Sequence, residues 1–430
     1  MIRTVLRASV AGLALLLAHP AAQAADLAAP SPAAPVPALG PSWTGFHLGV
    51  HGGGVFDKMG YYDTAHTFQF GATDFAFGIH GGFDYQLGSR FVVGAEAAYD
   101  WHDVDYKPFA AGGLGTLIKS QLDWSVSGRV GYLVTPETLI YGRLSYANIK
   151  VQTEEGFTGF AKKAMGAWGI GIGAETFLYG NWTGRVEANY YQTSDKFTNS
   201  DDEVAKPRYF TIMAGLSYRF NPMGDARRPV APAPNINWNG FYAGVDGSYN
   251  FGNMHLDVDV PGQTVGPYAA QSFGAGAFVG YNFVFASSYL LGVEAGGSYL
   301  NAKFQDPLQN ALIPGGPTQF GTIKGMYSAT VRAGYLVTPA TLLYLKGGFA
   351  GLVTEAKADF FALGGGETKT LASYQLGAGI ETALSDHITL RVEGLYTKAT
   401  DSITVINSQP AQNTLKPSLL SARIGLAYHF

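Results

Sequence analysis

The 430-residue chain contains no cysteine. Disulfide frameworks, thiolate metal sites, thiol catalysis and an acylated N-terminal lipoprotein cysteine are therefore excluded. Charge is scarce too. Only 14% of residues are charged, and 28 basic against 32 acidic side chains leave a formal −4, without the basic footprint that nucleic-acid binding needs. Long apolar runs are also missing: after the first 24 residues no uninterrupted stretch approaches the roughly 20 residues of a helical span. A membrane-embedded form of this chain must then be a closed β-barrel, the other structure that satisfies every backbone group in lipid. What is abundant is glycine (57) and aromatics (27 Phe, 25 Tyr, 6 Trp) in a chain that is 47% hydrophobic. That composition excludes disorder and spreads apolar residues thinly, as barrel strands do.

Arg3 and Arg7 precede an apolar run from Val10 to Ala18, and Ala22-Gln23-Ala24 supplies small residues for cleavage. Residues 1–24 read as a secretory signal peptide, with maturation at Ala25. A Pro/Ala-rich periplasmic segment is expected over 25–42.

Beyond it the chain is written twice. Trp43-Thr-Gly-Phe46 returns as Trp238-Asn-Gly-Phe241 at an offset of 195, and the region of Gly94 and Glu96 returns at Gly292 and Glu294, offset 198. Gly131-Tyr-Leu-Val-Thr-Pro returns from Gly334 at 203, Arg185-Val-Glu187 returns as Arg391-Val-Glu393 at 206, and Gly215 to Phe220 returns as Gly425 to Phe430 at 210. The offset holds across Thr135-Pro136 and Leu178 to Trp182, which marks tight turns. It grows across 102–116, 152–163 and 194–207, which marks long loops, because insertions are tolerated in loops and not inside paired strands. Long loops on one rim and tight turns on the other are the outer-membrane pattern, with the long loops outside the cell.

Strands are expected near 43–56, 76–87, 90–101, 117–134, 138–151, 164–177, 181–193 and 208–220, with eight equivalents over 238–430. In the last of the first set, Phe210, Ile212, Leu216, Tyr218 and Phe220 alternate with Thr211, Gly215, Ser217 and Arg219, a period of two. The face opposite the apolar one carries the ions: Asp84, Glu96, Arg129, Arg143, Glu175, Arg185, Glu187 and Arg219, then Glu294, Arg332, Lys346, Glu381, Arg391, Glu393 and Arg423. Their near balance allows the pairing that ions need in an interior. Apolar residues outward and ions inward make an all-β, transmembrane, antiparallel up-and-down barrel. Trp43, Trp182 and Trp238 are expected in one interfacial girdle and Trp101, Trp124 and Trp168 in the other. The domains read as a first eight-stranded barrel over 43–220, a Pro-rich linker over 221–237 and a second eight-stranded barrel over 238–430. One 16-stranded barrel is the alternative topology.

The Trp-x-Gly-Phe openings at 43 and 238, the Pro/Ala-rich mature start and the Tyr-Arg-Phe220 and Tyr-His-Phe430 closures resemble the opacity-like small outer-membrane barrel proteins of alphaproteobacteria, also called outer-membrane immunogenic proteins, here in tandem. The likeness covers nearly all of the mature chain. It implies eight-stranded barrels, delivery by the barrel-assembly machinery through a terminal signal at Tyr428 and Phe430, and a surface role in envelope integrity or host contact. Some relatives in that family are described as porins or linked to haemin.

His47, His51, His80 and His102 are expected to point inward, where they form a metal or haemin constellation or, as the favoured reading, hydrogen-bond to Asp84 and Glu96. Gly169-Ile-Gly-Ile-Gly173 lacks the following helix a dinucleotide loop requires. Asp257 with Asp259, and Asp201-Asp202-Glu203, read as solvated loop charge rather than calcium ligands. No triad spacing stands out, so neither an enzyme nor a cofactor is expected. The expected partners are outer-membrane lipids and lipopolysaccharide, the assembly machinery, and a host or surface ligand met through the loops. The expected function is a structural surface protein with ion-sealed lumens, against a porin for small hydrophilic solutes or a haemin-binding or adhesin protein.

Overall fold

The computed structural model describes residues 41–62, 67–102, 104–106, 118–153, 161–194, 197–198, 204–220, 233–257, 264–305, 319–357, 367–406 and 412–430. The expected signal peptide, most of the expected segment before Trp43 and of the expected linker, and the acids at 201–203 and 259 lie outside the described residues, as does the Asp257 side chain.

Alternating sequence gives strands throughout. The first set is β1 (Gly45–Tyr62), β2 (Thr67–Leu87), β3 (Phe91–Trp101), β4 (Val104–Tyr106), β5 (Ile118–Thr135), β6 (Thr138–Thr153), β7 (Ala161–Tyr179), β8 (Trp182–Thr193), β9 (Phe197–Thr198) and β10 (Val204–Arg219). The second is β11 (Gly240–Asp257), β12 (Thr264–Phe285), β13 (Tyr289–Gln305), β14 (Gln319–Thr338), β15 (Thr341–Ala356), β16 (Glu367–Ala383), β17 (Ile388–Ala399), β18 (Ile403–Ile406) and β19 (Gln412–His429). Successive long strands pair antiparallel, and β10 then returns to β1, with His47 opposite Arg219. In the second set β19 closes on β11, with Tyr242 opposite His429. Each copy is therefore a closed eight-stranded barrel, with β4, β9 and β18 as short pieces at one rim. A 16-stranded ring would join β10 to β11 and β19 to β1; the ladders run otherwise, which removes that alternative.

Strands outrun the expected bounds at the long-loop rim. β1 and β2 extend into 57–74, and β11 and β12 into 253–271, segments that read as loops because their outward residues turn polar. The cause is that the strands leave the bilayer without ending. Below, Leu144 and Val293 face out to lipid; above, Lys150 and Lys303 take the same face while Ile149, Val151, Ala302 and Phe304 pack inside. In water the inside must be apolar; in lipid it need not be. Each lumen consequently has an ionic middle and an apolar outer storey. The sequence reading of a uniformly polar interior is corrected in that respect.

The girdles need correction as well. Trp101, Trp124, Trp168 and Trp182 are exposed on the outer wall. Trp43 and Trp238 are buried instead, folded across the tight-turn mouths. Their indole N–H groups donate to the turn carbonyls of Pro136 (3.0 Å) and Pro339 (2.9 Å), a partner that a buried indole requires.

The two barrels touch along a seam that joins equivalent residues. Phe251 lies against Phe56 at 5.0 Å between ring centroids and stacks on Phe210 at 4.3 Å. Ala174 and Val186 pack with Ile380 and Val392. At the tight-turn rim the Thr138 and Thr341 hydroxyls meet at 2.9 Å, each also bonded to its neighbour, Thr176 or Thr382. At the other rim Phe70 of β2 pairs its backbone with Tyr268 of β12. Positions 56 and 251, 138 and 341, 174 and 380, and 186 and 392 all correspond in the repeat, so the contact has pseudo-two-fold, self-complementary character. Small residues permit the approach: a Cβ on Gly394 would lie 2.2 Å from Ile212 Cγ2, in keeping with tight packing between membrane segments.

Candidate functional site

Strand parity brings the lumen ions of the first barrel into two linked squares. In one, Arg129 binds Asp84 through Nε (2.8 Å) and Glu175 through Nη1 (2.8 Å), while Arg219 Nη2 reaches Asp84 (2.8 Å) and Glu175 (3.0 Å). In the other, Arg143 donates to Glu187 (2.7 Å) and Arg185 to Glu96 (2.6 Å), with Arg185 to Glu187 at 3.3 Å and Arg143 to Glu96 at 3.4 Å. His47 joins the squares, 3.1 Å from Glu96 and 3.4 Å from Asp84. All of these side chains are buried. Bidentate and shared arginine–carboxylate contacts are the form in which buried charge is tolerable.

The remaining histidines do not join the carboxylates named from the sequence. His51 Nε2 lies 2.7 Å from Asp100, His51 Nδ1 lies 2.9 Å from His80 Nδ1, and His80 Nε2 lies 2.7 Å from the Ser217 hydroxyl. One neutral assignment satisfies every link: Ser217 O–H donates to His80, His80 N–H to His51, and His51 N–H to Asp100. Gly49 and Gly78 make room, since a Cβ on either would lie within 2.5 Å of an imidazole nitrogen. Every ring nitrogen of His51 and His80 is occupied, which leaves no lone pair for a metal or haem iron. The donor order is that of a nucleophile relay, but Ser217 is 1% exposed, out of a substrate's reach. His102 stands apart, accepting from the Leu122 amide at 3.1 Å. Sequence reasoning missed Asp100 and Ser217, although both share the inward parity of Glu96 and Arg219.

The second lumen repeats the scheme with paired changes. Arg332 binds Glu381 (2.7 Å) and Asn282 (2.9 Å); Lys346 binds Glu294 (2.6 Å) and Glu393 (3.1 Å); Arg391 binds Glu294 (2.7 Å). Asn282 replaces Asp84, and His429, 3.2 Å from Glu381, replaces Arg219. One acid and one base have gone together. Where His47 stood, the Tyr242 hydroxyl donates to Glu294 at 2.9 Å, and Tyr344 donates to Glu393 at 2.7 Å. Phe278, in place of His80, lies under the Arg391 guanidinium at 3.3 Å. Asp246, in place of His51, faces Arg423 at 4.0 Å.

Filling is tight in the vertical direction as well. Below the ions Trp43 lies 4.4 Å from the Arg219 guanidinium and edge-on to Phe177 at 5.0 Å. Above them stand Val55, Met59, Leu122, Ile149, Val151, Tyr209 and Met213. Between ions and apolar storey the first lumen keeps a cavity of about 20 Å³ beside His51, Asp100, Arg143 and Glu187, the space of a single water. Among the described residues no group of three or more metal-ligating side chains converges.

A closed antiparallel barrel with an apolar outer band, outward aromatics and a filled interior is a transmembrane β-barrel of the outer-membrane class. A family model for the outer membrane protein beta-barrel domain matches residues 11–220 and again 229–430, and the chain belongs to that family, in two copies. The 31 kDa outer-membrane immunogenic protein of Brucella melitensis is 28% identical over 46% of this chain and 93% of its own length. The 22 kDa outer membrane protein of Rhizobium leguminosarum is 34% identical over 38% of this chain and 70% of its own. The 25 kDa outer-membrane immunogenic protein of Brucella canis is 29% identical over 47% and 84%. Each matches less than half of this tandem chain. The protein is thus an outer-membrane protein, and the family resemblance read from its sequence holds.

Proposed function

We propose that the protein is a structural surface protein of the outer membrane, two sealed barrels that strengthen the envelope and present their long-loop rims to the surroundings. The observation that carries this reading is the filling of the lumen by an indole lid, an ion-paired middle and an apolar outer storey. A hydrated ion crossing it would have to break several buried charge pairs, each costing about 3–5 kcal/mol once one partner is displaced. Contact through the outer rim is supported by a cavity of about 310 Å³ lined by His102, Lys119, Lys150 and Lys162. Tyr428 and Phe430, exposed on the outer wall, suit recognition by the barrel-assembly machinery. In planar bilayers the purified protein is expected to give no stable conductance steps; reproducible nanosiemens steps would establish the porin reading instead.

A further inference from the structure

Lys58 of β1 and Arg208 of β10 are direct cross-strand partners. Both sit at even positions, and on these strands even positions face out: Phe46, Leu48 and Val50 are exposed on β1, Leu216, Tyr218 and Phe220 along β10. Two cations therefore stand side by side on the outer wall, an arrangement that repels. Among the described residues the charge acting on Lys58 is Arg208, and neither has a carboxylate partner. Both are half-buried, because they crown the seam directly above Phe56, Phe210 and Phe251.

Height fixes what they meet. From Phe46 at the tight-turn rim to Lys58 is 12 residues; at about 3.3 Å per residue and a tilt of about 40°, that is roughly 30 Å, just above an apolar band of about 25 Å. The cations stand at the headgroups of the outer leaflet. The next residues along the same row carry no charge. Gln192 pairs with Arg208 on one side, and Gly71 pairs with Lys58 on the other. Across the seam the Asn253 amide packs on Gly71: a Cβ there would lie 2.1 Å from Asn253 Oδ1. That oxygen is buried and accepts no hydrogen bond. In the repeat the cations correspond to Asn253 and Ser418, so the site is made once.

We propose that Lys58 and Arg208 form a binding site for the phosphate of an outer-leaflet glycolipid headgroup, seated at the outer mouth of the seam between the barrels. The phosphate takes the two cations, while Asn253, buried against Gly71, walls the seam beside them without reaching the lipid. Doubly charged phosphate with guanidinium and ammonium is a strong pairing of opposite charges.

The test uses the full-length protein in neutral detergent, with bound lipid counted by native mass spectrometry. Diphosphoryl lipid A is compared with the same lipid stripped of phosphate. The wild type is expected to retain the phosphorylated form at least about 10-fold more strongly, the scale of losing a charge-assisted contact. Lys58→Gln with Arg208→Gln should remove that preference, Lys58→Arg should keep it, and Lys303→Gln, which removes an outward cation from the second barrel's rim, should leave it unchanged. Equal retention of the two lipids by the wild type overturns the site without any variant being needed. So does an equal loss in the Lys303 variant, or complete displacement of lipid A by millimolar inorganic phosphate, which would mark a free-anion site.

Discussion

At the residue scale the two copies are each other's control experiment. Asp84 and Arg219 in one lumen become Asn282 and His429 in the other, and the surrounding acids keep their partners. Charge balance, rather than any one ion, is what the lumen demands. Asp84→Asn alone leaves Arg129 and Arg219 sharing Glu175, a defect of about 3–5 kcal/mol for a buried pair broken on one side. Adding Arg219→His should recover more than half of that loss. Urea unfolding followed by tryptophan fluorescence and by the gel shift of the folded barrel reads both values. A double variant no more stable than the single one would contradict the balance argument.

At the scale of the strand, alternation carried most of the fold and part of the site. Glu96, Arg143, Arg185 and Glu187 could be assigned to the interior from parity alone, and the structure puts them in one network. Asp100 obeyed the same parity, but it sits one residue from the end of β3, where its reach to His51 depends on how far the neighbouring strands continue. The outer storey was not legible, because the switch from lipid to water along a strand depends on the height of the bilayer, which no residue encodes by itself. The Trp43 lid was hidden for another reason: its hydrogen-bond partner, the Pro136 carbonyl, is remote in sequence. The switch can be mapped chemically, since the chain has no native thiol. Cysteine at Lys150 or Lys303 should react with a membrane-impermeant maleimide in intact cells, and cysteine at Leu144 or Val293 should stay protected until the membrane is dissolved. Equal labelling at all four sites would place the bilayer elsewhere.

At the scale of the molecule the seam was the least readable feature. An apolar wall suits lipid and a neighbouring barrel alike, since packing rather than water exclusion drives association in a membrane. Its clearest trace is the run of small residues, Ala174, Ala188 and Gly394, among otherwise bulky outward positions. The Thr138 and Thr341 hydroxyls touch across it at 2.9 Å. Replacing both with cysteine should therefore give an intrachain disulfide under mild oxidation, read as two proteolytic halves that separate only after reduction. Failure to cross-link in the membrane would mean that the barrels stand apart.

The pairing of each residue with its own counterpart is the arrangement two identical chains would adopt on meeting. Joining them in one polypeptide makes the encounter unimolecular, so the pair forms at any abundance in the envelope and never awaits a collision. It also releases the halves from having to stay identical: a dimer of equals must carry every substitution at two places, whereas here Lys58 and Asn253 could part company at a single address.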